Sequence, residues 1–188
     1  RHLKGELVTF PPFRAPHHTS SHVAIIGGGT YPKPGEATLA HRGVLFLDEF
    51  PEFDRRVIES LRAPLESGEV SISRARGAEI FPAEFTLIAA MNPCPCGFLN
   101  DPRKECGCSP SQVAKYKRKI SGPIIDRIDM WIEVPRIEYE NLTTEKEATE
   151  EEKSELETMR AGIAQARGAQ AARGKGILNC RLGVRELS

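Results

Sequence analysis

Two short apolar runs along the chain each lead into polar side chains. Val44–Leu47 runs directly into Asp48 and Glu49, and the second run, Phe85–Ala90, ends just before Asn92. Short runs of bulky apolar residues are typical of strands that are buried on both faces of a parallel sheet. Such strands carry the residues that follow them to the carboxyl edge of the sheet, where α/β folds bind ligands. The pattern therefore predicts an α/β fold with these three polar residues at that edge.

The remaining apolar and turn-forming positions predict further elements around these strands. Apolar residues at helical spacing after Asp54 indicate one helix that ends near Gly68, with a kink or an irregular last turn at Pro64. Two alternating runs flank Arg74-Ala-Arg-Gly77, which predicts a hairpin with Arg74 and Arg76 at its tip. The other predicted elements are a short helix at 36–41, helical segments at 110–119 and 124–127, a third core strand at 130–134, and one or two long polar helices at 144–173.

Charge and composition narrow the class of protein. The 188 residues have a hydrophobic content of 39%, which is enough for a core, and a formal net charge of zero. Global charge therefore favours neither nucleic acid nor a membrane as partner. The charge is uneven, since residues 138–157 hold nine acids against two bases and residues 103–119 hold six bases against one acid. No apolar stretch is long enough to span a bilayer and no signal-peptide pattern is present, so we expect a cytoplasmic protein.

Paired acids after a buried strand suit nucleotide hydrolysis. Asp48 would lie near Mg²⁺, while Glu49 would act near the attacking water. This is the form of a Walker B segment, although a strand that ends in acids at a solvated loop has the same sequence. The 188 residues contain no G-x-x-x-x-G-K-[ST] phosphate loop. The sequence therefore predicts part of an ATPase site without its phosphate-binding loop.

Four of the five cysteines follow a spacing that suggests a metal site. Cys94, Cys96, Cys106 and Cys108 form two C-x-C pairs that are separated by nine residues. Four thiolates brought together by a short loop suit a tetrahedral Zn²⁺, and four protein ligands leave no open position, so the site would be structural. Four reduced, unligated thiols are the alternative. Cys180 is isolated and is expected to be a plain thiol.

The histidines are a second set of possible metal ligands, which the sequence favours much less. Four of the five histidines belong to this set, namely His17, His18, His22 and His41. Because His17 and His18 follow a proline in a segment rich in turns, we expect this pair to make hydrogen bonds within an inserted hairpin or loop.

Several segments together resemble one protein family. Ala90-Met-Asn-Pro-Cys-Pro-Cys-Gly97 and Ser121-Gly-Pro-Ile-Ile-Asp-Arg-Ile-Asp129 are similar to the Mg-chelatase-like AAA+ ATPases, and more narrowly to their ComM/YifB branch. The other matching segments are Phe13-Arg-Ala-Pro-His-His18, Gly27-Gly-Gly29, Pro34-Gly-Glu36, Leu39-Ala-His-Arg-Gly-Val-Leu-Phe-Leu-Asp-Glu49 and Ser71-Ile-Ser-Arg74. The cysteine-bearing run is the most specific part, because it sets this branch apart from the magnesium chelatase ATPase subunit itself.

The resemblance implies a fold and a domain organisation. The fold is a P-loop NTPase-type AAA+ core, that is, a partial parallel sheet with flanking helices and hairpin inserts, plus part of a helical lid. Residues 1–135 would form the core without its N-terminal P-loop strand, and residues 136–188 would form a linker and part of the lid. A Lon-protease-like domain and the P-loop strand would precede Arg1, and the lid would continue beyond Ser188. We therefore expect ATP hydrolysis by the longer protein and not by this chain alone.

The resemblance also implies roles for individual residues. Asp48 would bind Mg²⁺, Glu49 would polarise the attacking water, Asn92 would be the sensor 1 residue, and Arg127 would be the arginine finger that reaches a neighbouring subunit. The residues by themselves leave alternatives open. Asn92 has the sequence context of a turn asparagine before proline, and Arg127 could pair with Asp126 or Asp129 at the surface, which is worth little.

The implied activity is that of a ring-forming motor, expected to be a hexamer, that uses ATP and Mg²⁺ for ComM-like DNA branch migration. Arg74 and Arg76 are candidate DNA contacts, with a solvated turn as the alternative. Tyr116, which lies among basic residues, could stack on a base or pack in the core. Two other functions stay open at this point: the motor subunit of a porphyrin metal chelatase, and a zinc-stabilised, non-enzymatic interaction module.

Overall fold

A computed structural model describes residues 10–74, 77–134 and 149–173 of the chain. The chain divides into two compact units, Arg1–Val134 and Pro135–Ser188. The strands of the first unit are β1 Phe13–Arg14, β2 Gly27–Gly28, β3 Lys33–Pro34, β4 Val44–Leu47, β5 Glu69–Arg74, β6 Gly77–Pro82 and β7 Thr86–Ala89. Its helices are α1 His22–Ile26, α2 Glu36–Leu39, α3 Arg55–Ser60, α4 Arg62–Ser67, α5 Pro110–Lys117 and α6 Gly122–Ile125.

The central sheet has three parallel strands in the order β1-β4-β7. Val44 lies opposite Phe13 on one side and opposite Thr86 on the other, and the register with β7 continues to Leu47 opposite Ala89. This sheet with its flanking helices confirms the predicted α/β class and is consistent with a P-loop AAA+ core.

Burial in the sheet alternates along the strand, which corrects the expectation of strands buried on both faces. In β4, Leu45 and Leu47 are completely buried, while Val44 and Phe46 are only partly covered. In β7, Ile88 is 46% exposed. One face of the sheet packs into the core, and the other is only partly covered within the described residues, so period-two burial replaces the continuous burial of a central strand.

Two short helices replace the single helix predicted between Asp54 and Gly68. Asp54 caps α3 by accepting a hydrogen bond from the backbone N–H of Arg56 at 2.7 Å. Leu61 ends α3 and begins α4. Pro64 explains the break, because it is the third residue of α4, and the first turn of a helix does not need the N–H that proline lacks.

The predicted hairpin is confirmed as β5 and β6. The two strands pair antiparallel from Glu69 opposite Pro82 to Arg74 opposite Gly77. Val70 and Ile72 point into the core, with exposed fractions of 2% and 7%. Arg76, which was expected at the hairpin tip, lies outside the described residues.

The hydrophobic core joins the sheet to the helices and the hairpin. Its most deeply buried large side chains come from α1, β4, the turn after it, α3 and α6, and are Ile25, Leu45, Leu47, Phe50, Val57, Ile58 and Ile124. Leu87 of β7 packs against this cluster from a partly buried position. The core thus holds β4 from one side and leaves its carboxyl end at the surface.

The prediction of a third core strand at 130–134 is wrong for the described structure. These residues form no strand, and Met130, Ile132 and Val134 are each more than three-quarters exposed. A strand requires a neighbour to satisfy its backbone N–H and C=O groups. Within the described residues the parallel sheet ends at β7, so no sheet partner is paired with this apolar segment.

In the second unit, the structure describes one helix, α7 Glu150–Ala172. Thr149 caps it, and Glu152 completes a capping box by accepting the backbone N–H of Thr149 at 2.7 Å. The apolar positions Leu156, Met159 and Ile163 are all about half exposed. The assignment of residues 1–135 to an AAA+ core and of 136–188 to a linker and partial lid stays a prediction.

In the described part of the chain, no helix combines the length with the apolar character needed to cross a bilayer.

The alternating burial of the sheet predicts unequal costs of truncation on neighbouring strands. We expect Leu45→Ala to lower the free energy of unfolding by about 3 kcal/mol, because it removes a fully buried side chain and leaves a cavity. Ile88→Ala, the matched control on β7, should cost about 1 kcal/mol or less, because its side chain is 46% exposed. Urea unfolding would measure both, and equal losses would contradict the burial described here.

Candidate functional site

The parallel pairing of β4 and β7 brings the predicted catalytic segments to one edge. The backbone N–H of Ala90 donates to the carbonyl of Leu47 at 3.0 Å, and the N–H of Phe50 donates to the carbonyl of Ala90 at 2.9 Å. These two bonds carry the pairing past the strand ends. The acidic pair after β4 and Asn92 after β7 therefore leave the sheet at the same carboxyl edge, where α/β folds place their ligands.

The backbone at Glu49 turns sharply as the strand ends. Glu49 has a left-handed conformation, with φ 52° and ψ 42°, which is uncommon for a residue other than glycine. The side chain of Asp48 supports the turn, because its Oδ1 accepts the N–H of Glu49 at 2.8 Å. Both acidic residues are exposed. The turn thus separates the two carboxylates and presents both to solvent.

His18 is a residue of this site that sequence reasoning did not assign to it. Its Nδ1 lies 2.7 Å from Oε2 of Glu49. The ring of His17 lies against that of His18, with centroids 4.1 Å apart, and Phe53 meets His18 edge-on at 6.4 Å. The sequence predicted a hydrogen-bonding role for this pair but not the partner. The sequence feature that could have placed His18 here is strand β1, Phe13–Arg14, which precedes His18 and pairs with β4. At two residues, this strand is too short to recognise by periodicity.

His22 and His41 belong to no group of possible metal ligands among the described residues. His41 uses Nδ1 to accept the backbone N–H of Glu84 at 3.1 Å, which ties α2 to the segment before β7. His22 begins α1. Among the described residues, the groups close enough to hold a metal together are four cysteines, and no histidine belongs to that set.

Arg127 is held by its own chain. Its Nη2 lies 2.6 Å from Oε2 of Glu66, and its Nη1 donates to the carbonyl of Pro123 at 2.7 Å. The hydrogen bond and the charge of the guanidinium lower the pKa of Glu66. Within the described structure the buried Nε finds no acceptor. The alternative to the finger role was a surface pairing with Asp126 or Asp129, and in the described structure the ion pair is instead with Glu66 on α4.

The four cysteines form a compact thiol cluster, as their spacing predicted. Cys94 Sγ lies 3.4 Å from that of Cys96 and 3.7 Å from that of Cys106, and the sulfurs of Cys96 and Cys106 are 3.6 Å apart. All four sulfurs, including that of Cys108, lie within 4.8 Å of one another. Four thiolates at such distances could hold one metal ion.

The chain supports thiolates at this cluster through its backbone. The N–H of Phe98 hydrogen-bonds to the sulfur of Cys96, which lowers the pKa of that thiol to about 6 against the opposing effect of burial. The pKa of Cys106 is raised to about 12, because burial and its sulfur neighbours outweigh the stabilising N–H of Cys108. One thiolate therefore forms easily, and the next ones are opposed by its charge, which a bound cation would neutralise.

Tyr116 packs in the protein and does not present its ring to a nucleic acid. Its side chain is only 6% exposed. Burial raises the pKa of its hydroxyl, and the charge of Glu52 adds to this effect, while the backbone N–H of Asn92 opposes it. Lys119 lies over the ring, 5.5 Å from the centroid, and forms an ion pair with Glu52 at 2.9 Å. Of the two alternatives, the structure favours packing.

An open groove of about 550 Å³ lies beside the site. It is lined by residues of the segment before α1 and of the turn before α3, namely His18, Thr19, Ser20, Ser21, His22, Glu52, Asp54 and Arg56. His18 is the link between this groove and Glu49. Because Asp48, Glu49 and Asn92 do not line it, the groove is a neighbour of the candidate site and not its centre.

The chain is similar to known proteins over its first unit. Residues 1–142 match the family described as magnesium chelatase, subunit ChlI. The chain is 56% identical over 124 residues to competence protein ComM of Haemophilus influenzae, and 50% identical over 124 residues to uncharacterized protein YifB of Escherichia coli. Each match covers 66% of this chain and 24% of the relative. An uncharacterized protein of Mycobacterium tuberculosis is 46% identical over 138 residues, which is 72% of this chain and 27% of the relative.

The family match extends over the segments that form the site. The chain spans about a quarter of the length of the curated relatives it matches. The family match covers all of β1 to α6, including the thiol cluster and the carboxyl edge of the sheet. On this evidence, the chain belongs to the magnesium chelatase subunit ChlI family.

Proposed function

We propose that this chain is part of an ATP-hydrolysing AAA+ motor of the ComM/YifB type. The observation that supports this most directly is the pairing of β4 with β7, which brings a Walker B-like acidic pair and Asn92 to one carboxyl edge. The family match supports the use of a nucleotide and Mg²⁺. The activity belongs to the longer protein, because the 188 residues contain no phosphate-loop motif.

Asp48 is suited to hold Mg²⁺. Its carboxylate is exposed, and hard cations prefer oxygen ligands of this kind. The hydrogen bond from the N–H of Glu49 to Oδ1 fixes the orientation of the carboxylate. The metal, when bound, would offset the negative charge of the nucleotide phosphates.

Glu49 is the proposed base for the attacking water, and Asn92 is the proposed sensor of the terminal phosphate. Nδ1 of His18 lies 2.7 Å from Oε2 of Glu49, so Glu49 must share its carboxylate between His18 and the water that it activates. Arg127 is the proposed arginine finger. It would have to leave Glu66 in order to stabilise charge in a neighbouring subunit.

DNA is the proposed partner of the longer protein, which we expect to form a hexameric ring in the cytoplasm. The similarity to ComM supports this, together with exposed basic residues on one continuous segment, which are Arg103, Lys104, Lys115, Lys117 and Arg118. Arg74 and Arg76 of the hairpin are further proposed contacts. Basic side chains bind nucleic acid mainly through its phosphates, without dependence on sequence.

Zinc is the proposed metal of the thiol cluster. Soft thiolates select Zn²⁺ over Mg²⁺, and a complete set of four ligands makes a structural site. The cluster is also the feature that favours a second function, a zinc-stabilised interaction module without enzymatic activity. A porphyrin metal chelatase motor is the third, and porphyrin-dependent ATPase activity would distinguish it from the first.

The zinc assignment predicts about one zinc per chain. Native mass spectrometry and metal analysis of the purified chain should find it, and Cys94→Ser should lower the content strongly because one of four thiolates is lost. Cys180→Ser is the matched control, since Cys180 lies outside the C-x-C pairs, and should leave the zinc content unchanged. A folded chain with four reactive thiols and no metal would contradict the assignment.

The Glu49 assignment predicts loss of hydrolysis without loss of ATP binding. In the longer protein, forked DNA should stimulate ATP hydrolysis, and Glu49→Gln should reduce both the basal and the stimulated kcat by at least about 100-fold, because the amide cannot accept the proton of water. Glu69→Gln is the matched control and should leave kcat unchanged, because it removes an exposed carboxylate at the start of β5, outside the acidic pair. Wild-type turnover in the Glu49→Gln protein would refute the Walker B assignment.

The missing phosphate-loop motif predicts weak ATP binding by the 188-residue chain. Backbone N–H groups and the lysine of such a loop supply most of the contacts to the β- and γ-phosphates, and the acidic pair adds negative charge beside an anionic ligand. We expect a Kd no better than about 1 mM, which corresponds to about −4 kcal/mol. Isothermal titration with Mg-ATP measures this, and a micromolar Kd would mean that the nucleotide lies elsewhere.

A further inference from the structure

We propose that the thiol cluster, when it holds its metal, positions the catalytic edge of the sheet, and that Tyr116 is the positioning residue that connects the two. This inference rests on the roles proposed above for Glu49 and Asn92 and for zinc, and it goes beyond them, because those roles treat the metal site and the carboxyl edge as independent.

The first connection is along the chain. Cys94 follows Asn92 after a single proline and is completely buried. Its sulfur lies within 3.7 Å of those of Cys96 and Cys106. A metal bound here would fix Cys94 on the metal side, while the hydrogen bond of Ala90 to Leu47 fixes the other side of the Asn92 loop. The loop would then be held at both ends.

The second connection runs from the cluster through α5. Ser109 follows Cys108 directly and caps α5, where it forms a capping box with Gln112 through bonds of 3.3 and 2.8 Å. The capping box makes the helix begin at the cluster, so the direction of α5 depends on where Cys108 is held. Tyr116 lies near the end of this helix.

The third connection is between the end of α5 and the catalytic turn. The side chain of Tyr116 is buried, and Nζ of Lys119 lies over its ring, 5.5 Å from the centroid. Lys119, just after α5, pairs with Glu52 at 2.9 Å. Glu52 belongs to the same short turn as Phe50, which begins immediately after Glu49.

These three connections close a circuit. It leads from the Asn92 loop to the metal, through α5 to Tyr116 and Lys119, and on to the turn after Glu49. The hydrogen bond from the N–H of Phe50 to the carbonyl of Ala90 returns it to the start of the Asn92 loop. Without the metal, no bond joins the four sulfurs, and the circuit is open at the thiol cluster. Loss of metal should therefore loosen the catalytic edge as well as the cysteine loop.

Amide hydrogen exchange of the 188-residue chain tests this directly. The N–H groups of Phe50, Glu52 and Ala90 all donate to backbone carbonyls at 2.7 to 3.0 Å and report on the edge. After removal of zinc with a chelator, these amides should exchange at least about tenfold faster, as expected for easier local opening. The matched control is the β5–β6 hairpin, whose antiparallel ladder is separate from the circuit and should keep its exchange rates.

A variant can distinguish loss of the connection between the thiol cluster and the catalytic edge from loss of the metal site itself. Tyr116→Ala should retain about one zinc per chain and protection of the cysteine loop, yet show the same tenfold acceleration at Phe50, Glu52 and Ala90. If that variant fails to fold, Lys119→Gln, which removes the ion pair with Glu52, provides the same comparison with a smaller expected change.

The outcomes are distinct. If exchange becomes faster only in residues 94–108 after zinc removal, the proposal is overturned, because the cluster would then act only on its own loop. A chain that takes up no zinc would overturn the proposal as well. Acceleration at the edge combined with wild-type turnover of Glu49→Gln in the longer protein would leave the coupling intact and refute the Walker B assignment of Glu49 instead.

Discussion

The backbone ladder between β4 and β7 is the constraint on which the rest of the site depends. It sets the register of Leu47 opposite Ala89 and continues through the bonds of Ala90 to Leu47 and of Phe50 to Ala90. A shift of the register by one residue would exchange the core and solvent faces of β7. It would also move Asn92 relative to the acidic pair. The apolar side chains of β4 oppose such a shift, because Leu45 and Leu47 are completely buried.

Hydrogen bonds and contacts between charged groups orient the side chains of the candidate site. Each of the three charged residues proposed for catalysis has a partner in this structure: Asp48 accepts the N–H of Glu49, Glu49 meets His18, and Arg127 meets Glu66. These contacts are solvent-accessible to different degrees, and exposed ion pairs stabilise a fold only slightly. They are therefore weak enough to be exchanged for other partners, as the roles proposed for these residues require.

The thiol cluster concerns a different quantity, the conformational entropy that its own loop loses when it is ordered. Residues 94–109 contain little regular secondary structure, and a loop of this length loses much conformational entropy when it is ordered. A single metal ion bound by the four thiolates would compensate for that loss. It would also give α5 a defined start, and with it a defined position for Tyr116 and Lys119 beside the turn after Glu49. The proposed site would thus serve both the stability of the loop and the geometry of the adjacent edge.

The local elements were accessible from the sequence wherever a short-range pattern determines them. The strand Val44–Leu47, the β5–β6 hairpin, α5 and the cysteine pairs were all predicted, because apolar periodicity, turn residues and ligand spacing act within a few residues. Prediction failed where contacts with other segments of the chain determine whether an element forms. The apolar segment 130–134 has the composition of a core strand, yet it is exposed in the described structure, where no sheet strand pairs with it.

The candidate site shows the same division. Its carboxylates, Asn92 and its cysteines were identified from the sequence, since each is adjacent to a recognisable pattern. The partners of these residues were not, because His18 and Glu49 are 31 positions apart along the chain and Arg127 and Glu66 are 61 apart. The sequence by itself determined which chemical groups the chain carries and the strands or loops that hold them. Only the tertiary structure decided which groups meet, because such contacts depend on how strands and helices pack and not on the pattern within any one of them.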